Sequence, residues 1–407
     1  MTLQQAELPE PSDDARAASE ALTQVIAAEI AARGGWMPFA RYMELALYAP
    51  GLGYYSGGSH KFGGHQSGGD FLTAPELTPL YAQALARQVA QILAASSPVV
   101  MEAGAGSGKL AADMLLALAA LGCAPERYQI LELSGELRAR QQATLAEQAP
   151  QFIDRVEWLD ELPEHYSGCL IGNEVLDAMP THALRWEADD AGEVGEPRML
   201  ERGVGLSDGR LVEAEEPAHG ALLAAAQAMP LLAPYRGEIS LAARAWVSEL
   251  ARRLKQGAML LIDYGLPRHE LYHPLRDGGT LRCHYRHRVH EDPFWFPGLS
   301  DITSHVDFTA VAEAGFDAGL DVLGYTSQAN FLLNCGIGEL LGRKVGAGDD
   351  PKVVQSKANM ADLRARGAVN VLISPNEMGE LFKVIALGRG MPGPLLGFAR
   401  ADRVHAL

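Results

Sequence analysis

One stretch of the chain, in which an acidic residue is followed by three evenly spaced glycines, could bind a small charged ligand. Glu102 follows a run of apolar residues, and Gly104, Gly106 and Gly108 come after it at every second position. Glycine is needed where a backbone turns sharply and approaches a ligand closely, because a Cβ would obstruct both. A glycine turn between a strand and a helix is the entry unit of a doubly wound nucleotide-binding sheet. The pattern therefore predicts a ligand-binding turn at residues 102–108.

The spacing of these glycines separates three motifs. A dinucleotide fingerprint needs its third glycine at Lys109, and a phosphate-binding loop needs a hydroxyl at Leu110 and a glycine at Ala103. The pattern E-x-G-x-G-x-G fits fully, and it resembles the first motif of class I S-adenosylmethionine (SAM) methyltransferases. In that motif the acid meets the cationic or amine end of the cofactor, where a phosphate would be repelled. The alternative is a cluster of glycines that serves packing alone.

A second acid stands near the end of the strand predicted at 128–133. Glu132 lies 24 residues after Gly108, slightly further than the roughly 20 residues at which doubly wound folds place an acid that holds ribose hydroxyls. A carboxylate suits this role because it can accept hydrogen bonds from both hydroxyls at once. The alternative is a solvated acid at a strand end.

A third polar group follows the apolar strand predicted at 167–171. Asn173 and Glu174 come after this strand, and the carboxyl ends of strands line the ligand crevice of open α/β sheets. Asp177 lies on the same side as Glu174 if the intervening turn is helical. Two carboxylates beside a methyl donor can hold a guanidinium through bidentate pairing. The alternative is that Asn173 and Asp177 cap the following turn.

The elements that must position these residues follow an α/β rhythm. Four segments are predicted: an N-terminal helical extension with a glycine-rich lid loop at 1–95, the SAM-binding half of the sheet at 96–180, a β-rich insertion at 181–237, and the second half of the sheet with an inserted loop region at 238–395. Within the insertion, Ser207-Asp208-Gly209-Arg210 predicts a hairpin turn. The last segment is expected to begin with a helix over 238–255.

The glycine-rich loop ends in the segment 69–76, which contains a carboxylate, an aromatic ring and a proline turn. Loops of this length in compact proteins are usually functional or disordered. A surface loop that caps the following helix and a lid over the cofactor are equally favoured by the pattern.

Composition excludes several classes of function. The chain has 34 Lys and Arg against 51 Asp and Glu, a net charge of −17, which argues against nucleic-acid binding and suits a basic partner. Its four cysteines form no C-x-x-C pair, and its histidines lack metal-ligand spacing, so no metal site is expected.

No apolar run reaches the length of a membrane span. The N-terminus lacks the features of a signal or transit peptide, which predicts a cytoplasmic protein. The basic residues at 282–288 are interpreted as solvated or paired with neighbouring acids.

Taken in order, the motifs resemble the MidA family of SAM-dependent methyltransferases over about residues 22–390. The motifs that carry this resemblance are Gly69-Asp-Phe-Leu-Thr-Ala-Pro-Glu76, Glu102-Ala-Gly-Ala-Gly-Ser-Gly-Lys109, Leu131-Glu-Leu-Ser134, Asn173-Glu-Val-Leu-Asp-Ala-Met-Pro180, Leu281-Arg-Cys-His-Tyr-Arg-His-Arg288, His305-Val-Asp-Phe308 and Ser374-Pro-Asn-Glu-Met-Gly-Glu-Leu-Phe-Lys383. The family commonly has Ser at the position of Ala74 and Phe-Phe near 175–176. The resemblance implies a class I methyltransferase sheet, SAM as cofactor and a protein substrate, because the mitochondrial member methylates an arginine of a complex I subunit.

The expected site follows from these motifs. The residues expected to bind the cofactor are Gly69, Asp70, Phe71, Thr73, Glu102, Gly104, Gly106, Ser107, Gly108, Glu132, Leu133, Ser134, Asn173 and Glu174. The residues expected to act on the acceptor are Glu174, with Asp177 or Asp70 as the second carboxylate.

The expected activity is methylation of a protein with an exposed arginine, and the β-rich insertion could contact that substrate or a second copy in a homodimer. A methyltransferase of a small molecule and a SAM-binding assembly factor without turnover are the alternatives.

Overall fold

The computed structural model describes residues 8–57, 73–187, 198–229, 231, 233–342 and 363–407. The helices are α1 (Asp13–Ala32), α2 (Phe39–Tyr48), α3 (Ala74–Leu77), α4 (Pro79–Ala95), α5 (Lys109–Ala120), α6 (Gly135–Gln148), α7 (Gly220–Gln227), α8 (Leu241–Arg253), α9 (Arg268–Leu271), α10 (Phe308–Asp317), α11 (Gln328–Asn334), α12 (Ile337–Gly342), α13 (363–373) and α14 (Met378–Leu381). The strands are β1 (Trp36–Pro38), β2 (Val99–Ala103), β3 (Arg127–Leu131), β4 (Val156–Leu159), β5 (Tyr166–Asn173), β6 (His182–Glu187), β7 (Arg198–Ser207), β8 (Arg210–Pro217), β9 (Tyr235–Ile239), β10 (Leu254–Leu266), β11 (Arg282–Tyr285), β12 (Arg288–His290), β13 (Asp301–Thr303), β14 (Val306–Asp307), β15 (Asp321–Ser327) and β16 (Phe382–Arg389).

The chain divides into two compact units that interleave along the sequence. Unit 1 is drawn from Met1–Phe71, Leu176–Trp246 and Leu266–Val311, and unit 2 from Leu72–Val175, Val247–Gly265 and Ala312–Leu407. The predicted β-rich insertion belongs to unit 1. Helix α4, which the sequence analysis grouped with the N-terminal extension, belongs to unit 2.

Unit 1 contains an antiparallel sheet in the order β1-β7-β6-β9, with β8 paired to β7. The predicted hairpin turn at 207–210 is confirmed, since Ser207 and Arg210 pair across it and Asp208 and Gly209 both have positive φ. This backbone matches the right-handed twist of the flanking strands. Unit 1 also contains a small sheet in the order β12-β11-β13.

The N-terminal helix forms for reasons that are visible in its sequence. Ser12 caps α1 by accepting a hydrogen bond from the backbone N–H of Ala15, and two acids occupy the first turn, where they complement the helix dipole. Leu22, Ile26 and Ile30 recur at four-residue spacing and are fully buried. The first helix of the predicted extension is therefore packed in the core of unit 1.

Unit 2 contains the predicted doubly wound sheet, in the order β15-β16-β10-β5-β2-β3-β4. Strands β4, β3, β2, β5 and β10 are parallel, whereas β16 runs antiparallel to both of its neighbours. The strand order reverses at β2, which has β3 on one side and β5 on the other. Ligands bind at such a reversal, outside the carboxyl ends of the strands. The crevice is therefore formed by the residues that follow β2, β3 and β5.

Helices α4 and α5 supply much of the core of unit 2. Eight of the twelve residues of α5 are buried, as expected of a helix that is apolar on nearly every face. The helix predicted over 238–255 is confirmed as α8, although its bounds differ, because Glu238 and Ile239 belong to β9 and the last two residues begin β10. Glu238 pairs with Ala183 of β6, so pairing with a distant strand overrides the local helical pattern.

Candidate active site

The glycine turn after β2 has a backbone that side chains would obstruct. Gly104, Gly106 and Gly108 have φ of 65°, 53° and 83°, in the left-handed region that favours glycine. A Cβ on Gly108 would lie 2.9 Å from the Cα of Gln141, and one on Gly104 would lie 3.2 Å from Cγ2 of Val175. The turn is therefore enclosed from within unit 2 by α6 and by the segment after β5.

Glu102 ends β2 as a buried carboxylate. Only 3% of it is exposed, and its Oε2 accepts a hydrogen bond of 2.5 Å from the hydroxyl of Tyr128. The pKa of Glu102 is raised to about 7, chiefly by burial; the bond from Tyr128 opposes this shift, and the charge of Glu132 adds to it. At neutral pH, the neutral and ionised forms of such an acid are similarly populated, and a nearby cation favours the ionised form.

Glu132 follows β3 and is also buried, with 8% of its surface exposed. Its Oε1 accepts from the backbone N–H of Ser134 at 2.9 Å, and its Oε2 accepts from the amide of Gln141 at 3.1 Å. Burial raises its pKa, and these bonds oppose that shift. Between Glu132 and Ser134, Leu133 is 80% exposed. Ser134 caps α6 through its hydroxyl.

Gln141 links the glycine turn to the end of β3, and the sequence analysis missed it. This fully buried side chain donates to the carbonyl of Gly106 at 3.2 Å and to Glu132, and its own carbonyl accepts from Trp158 Nε1 at 2.9 Å. Nothing in the mostly polar sequence of α6 distinguishes this glutamine from the exposed Gln142 beside it. Only the fold shows which of the two faces the site.

Asn173 and Glu174 come directly after one another where β5 ends. The Asn173 carbonyl accepts from the Tyr81 hydroxyl at 2.6 Å, and its amide donates to Glu174 Oε1 at 3.0 Å. Burial raises the pKa of Tyr81 well above its usual value, as do the charges of Glu174 and Glu102. Tyr81, on α4, was not identified from the sequence, because a tyrosine in an apolar helix looks like a core residue.

The turn after Asn173 is not helical, so the premise that placed Asp177 on the side of Glu174 is wrong. Glu174 has a φ of 55°, which a right-handed helical turn does not allow. Asp177 belongs to unit 1, where it is 6% exposed and its carbonyl accepts from the backbone N–H of Ser304 at 3.0 Å.

The described end of the predicted lid segment lies against the glycine turn. Thr73 precedes α3 as its N-cap residue, and Glu76 of α3 accepts a hydrogen bond from the hydroxyl of Ser107. Glu76 was part of the quoted motif, but no role was assigned to it. Gly69, Asp70 and Phe71 lie outside the described residues.

Lys109 pairs with Asp113 one turn along α5, so a salt bridge within the helix holds the cation that made the turn look like a phosphate-binding loop. Within the described residues, no group of three or more His, Cys, Asp or Glu side chains is arranged to hold a metal ion. Among the same residues, no helix combines the length and apolar character that crossing a membrane requires.

Comparison with known proteins identifies the family. The model of the S-adenosyl-L-methionine-dependent methyltransferase family Methyltransf_28 matches residues 84–326, more than half of the chain. The chain belongs to this family, the MidA family of SAM-dependent methyltransferases. The match covers the glycine turn and the ends of β3 and β5, and it confirms the family named from the motifs.

Relatives match this methyltransferase along most of its length. The mitochondrial protein arginine methyltransferase NDUFAF7 of Danio rerio is 26% identical over 91% of this chain and 87% of its own. Its counterpart in Mus musculus is 28% identical over 87% of this chain and 81% of its own. A protein from Burkholderia thailandensis, crystallised with S-adenosyl-homocysteine, is 53% identical with a TM-score of 0.90, and the match covers 98% of this chain and 100% of that one.

SAM is the cofactor of this methyltransferase, and the residues of unit 2 fit it. S-adenosyl-homocysteine is what SAM becomes once its methyl group has left, so the related crystal structure holds the product form. The glycine turn can adopt its left-handed backbone and pack closely against Gln141 and Val175, because none of its three glycines carries a Cβ. Buried carboxylates at the ends of β2 and β3 suit a cationic group and hydroxyls, respectively.

Proposed function

We propose that this methyltransferase acts on an arginine side chain of a protein. The proposal is supported by relatives that carry the name protein arginine methyltransferase and align with 87–91% of the chain. A net charge of −17 is compatible with an arginine-bearing partner, because opposite charge favours encounter. A cytoplasmic location of the enzyme and its acceptor is part of the proposal.

One observation carries this proposal: a carboxylate stands where β5 opens onto the crevice. β5 pairs with β2 as far as Ala103 and Gly172, so Glu174 follows the strand beside the glycine turn. The Asn173 amide orients one oxygen of Glu174. An arginine nitrogen is a poor nucleophile while its charge is delocalised, and a carboxylate can orient the guanidinium and draw its charge away from the attacking nitrogen.

We assign the other predicted site residues to different parts of the cofactor. When bound, SAM supplies an electrophilic methyl group. We assign Glu132 to the ribose hydroxyls, Glu102 to the cationic end and the backbone of the glycine turn to close approach. Ser107, Leu133, Ser134, Asn173 and Thr73 flank these groups. The chain then acts mainly by alignment and by exclusion of water. Asp177 and Asp70 stay predictions for the second carboxylate.

The test is the substitution Glu174→Gln, which keeps size and polarity but removes the charge. The assay follows transfer of radiolabelled methyl groups from SAM into the proteins of a lysate from cells that lack this gene, and hydrolysis then identifies methylarginine. The variant should lose transfer and keep the affinity for S-adenosyl-homocysteine measured by calorimetry. Glu157→Gln, an exposed carboxylate that accepts from Gln129 on a neighbouring strand, is the matched control and should transfer normally.

Three other results would contradict the proposal. If Glu174→Gln transfers methyl groups as the wild type does, Glu174 has no part in the reaction. Label that enters only small molecules would show a methyltransferase of another substrate class. If the wild type binds S-adenosyl-homocysteine but transfers no label to any fraction, the protein is a SAM-binding assembly factor.

A further inference from the structure

Glu174 occupies a backbone conformation that its side chain disfavours. Its φ of 55° is left-handed, whereas the glycines of the neighbouring turn adopt such angles without strain. Non-glycine residues persist in this region only where the surrounding structure holds them, and they cluster at active sites. The question is therefore which groups hold the backbone of Glu174.

β10 holds this backbone through hydrogen bonds to two consecutive N–H groups. The N–H of Glu174 donates to the carbonyl of Ile262 at 2.8 Å, and the N–H of Val175 donates to Oδ2 of Asp263 at 3.1 Å. The other oxygen of Asp263 accepts from the N–H of Tyr264 at 2.9 Å. Asp263 is 1% exposed, so water does not compete for these bonds.

Val175 contacts both β10 and the glycine turn. Parallel pairing of β5 and β10 ends at Asn173 and Ile262, so Asp263 is the first residue of β10 past the ladder. A Cβ on Gly104 would lie 3.2 Å from the Val175 side chain, which therefore packs against the glycine turn. This packing keeps the Val175 side chain against the turn, so loss of its backbone bond would change the conformation of Glu174.

We propose that Asp263 is a positioning residue, which holds Glu174 in its left-handed conformation by accepting the hydrogen bond from the N–H of Val175. A charged acceptor makes this bond stronger than a neutral one would. The Glu174 carboxylate is then directed by the backbone and by the Asn173 amide together. This inference rests on the proposed role of Glu174, and it assigns Asp263 a role through the backbone alone.

The substitution Asp263→Asn tests it, because the amide keeps the shape but offers one accepting oxygen to two N–H groups. Transfer at saturating SAM should fall by about 100-fold, as expected when a reacting group is displaced by an ångström. Affinity for S-adenosyl-homocysteine should stay unchanged. In the Glu174→Gln background, Asp263→Asn should cause no further loss, because it acts only through that carboxylate. A crystal structure of the single variant with S-adenosyl-homocysteine should show Glu174 outside the left-handed region.

Asp402→Asn is the matched control, since Asp402 also accepts from two backbone N–H groups in unit 2, those of Tyr325 and Val404, and it should transfer normally. If Asp263→Asn does not fold, Asp263→Ser provides a smaller acceptor for the same measurements.

Two results overturn the inference alone: normal transfer by Asp263→Asn while Glu174→Gln is inactive, or an additional loss in the double variant. Normal transfer by Glu174→Gln overturns the proposed function and this inference with it.

Discussion

At the scale of single residues, the site combines buried acids with glycines that cannot carry a side chain. The Glu102 carboxylate accepts a hydrogen bond from the Tyr128 hydroxyl, and burial raises its pKa to about 7. An acid whose pKa is higher in the folded than in the unfolded protein stabilises the fold below its unfolded value. That contribution is lost as the pH rises through the folded value.

The first prediction concerns this acid. The free energy of unfolding of the wild type, relative to Glu102→Gln, should fall between pH 4.5 and pH 7 by up to about 3 kcal/mol. Urea unfolding of both proteins across this range measures it. Tyr128→Phe should move the transition to higher pH, because the hydroxyl that favours the ionised form is gone. A difference that does not vary with pH would contradict the assignment.

The second prediction concerns Gly108. Gly108→Ala forces a side chain into left-handed backbone and against the Cα of Gln141, so stability should fall by about 2–4 kcal/mol. Gly122→Ala is the control, because Gly122 has a φ of 76° and nothing within 4 Å of the added Cβ. It should lose only the conformational part, about 1–2 kcal/mol. Equal losses in thermal or urea unfolding would show that the contact with Gln141 has no effect.

At the scale of elements, α6 holds the site together through one buried amide. Gln141 uses its donors on the glycine turn and on Glu132, and its acceptor on Trp158. Removing one partner from such a network leaves the others buried and unsatisfied, and that penalty exceeds the net value of each bond.

The third prediction follows from this network. Gln141→Leu should lower the free energy of unfolding by about 2–4 kcal/mol and weaken binding of S-adenosyl-homocysteine in calorimetry, since Oε2 of Glu132 loses the donor that Gln141 supplies. Gln142→Leu, one residue further and exposed, should change neither quantity by much. The role of the network would be refuted if both variants bound the compound as the wild type does.

Some of these structural elements could be predicted from the sequence, whereas the contacts between them could not. The strand, glycine turn and helix around Gly104 were predictable, because apolar runs and glycine spacing are local signals. Gln141, Tyr81 and Tyr128 were not, since a buried polar side chain differs from an exposed one only through contacts made in the fold. The left-handed backbone at Glu174 was hidden because sequence signals for that conformation are mainly glycine and asparagine.

At the scale of the whole molecule, the excess of acidic residues favours a basic acceptor. Salt screens charges beyond a distance of about 10 Å at 0.1 M, so long-range attraction weakens with ionic strength while buried contacts change little.

The fourth prediction is therefore a difference in salt dependence. The concentration of lysate protein that gives half-maximal methyl transfer should rise between about 50 and 200 mM NaCl, while the affinity for S-adenosyl-homocysteine stays nearly constant. Transfer assays and calorimetry at both salt concentrations measure the two quantities. A half-maximal concentration that does not change with salt would exclude long-range attraction as a factor in acceptor binding.

The strand order in the sheet of unit 2 has a consequence for the nascent chain during its synthesis on the ribosome. β16 comes after every other strand of that sheet in the chain, yet it lies between β10 and β15. Until Phe382–Arg389 has left the exit tunnel, β10 has an open edge on that side, and β15 has no partner through which to join the sheet. From the emergence of β10 until that of β16, the nascent chain must therefore keep an apolar edge away from other polypeptides.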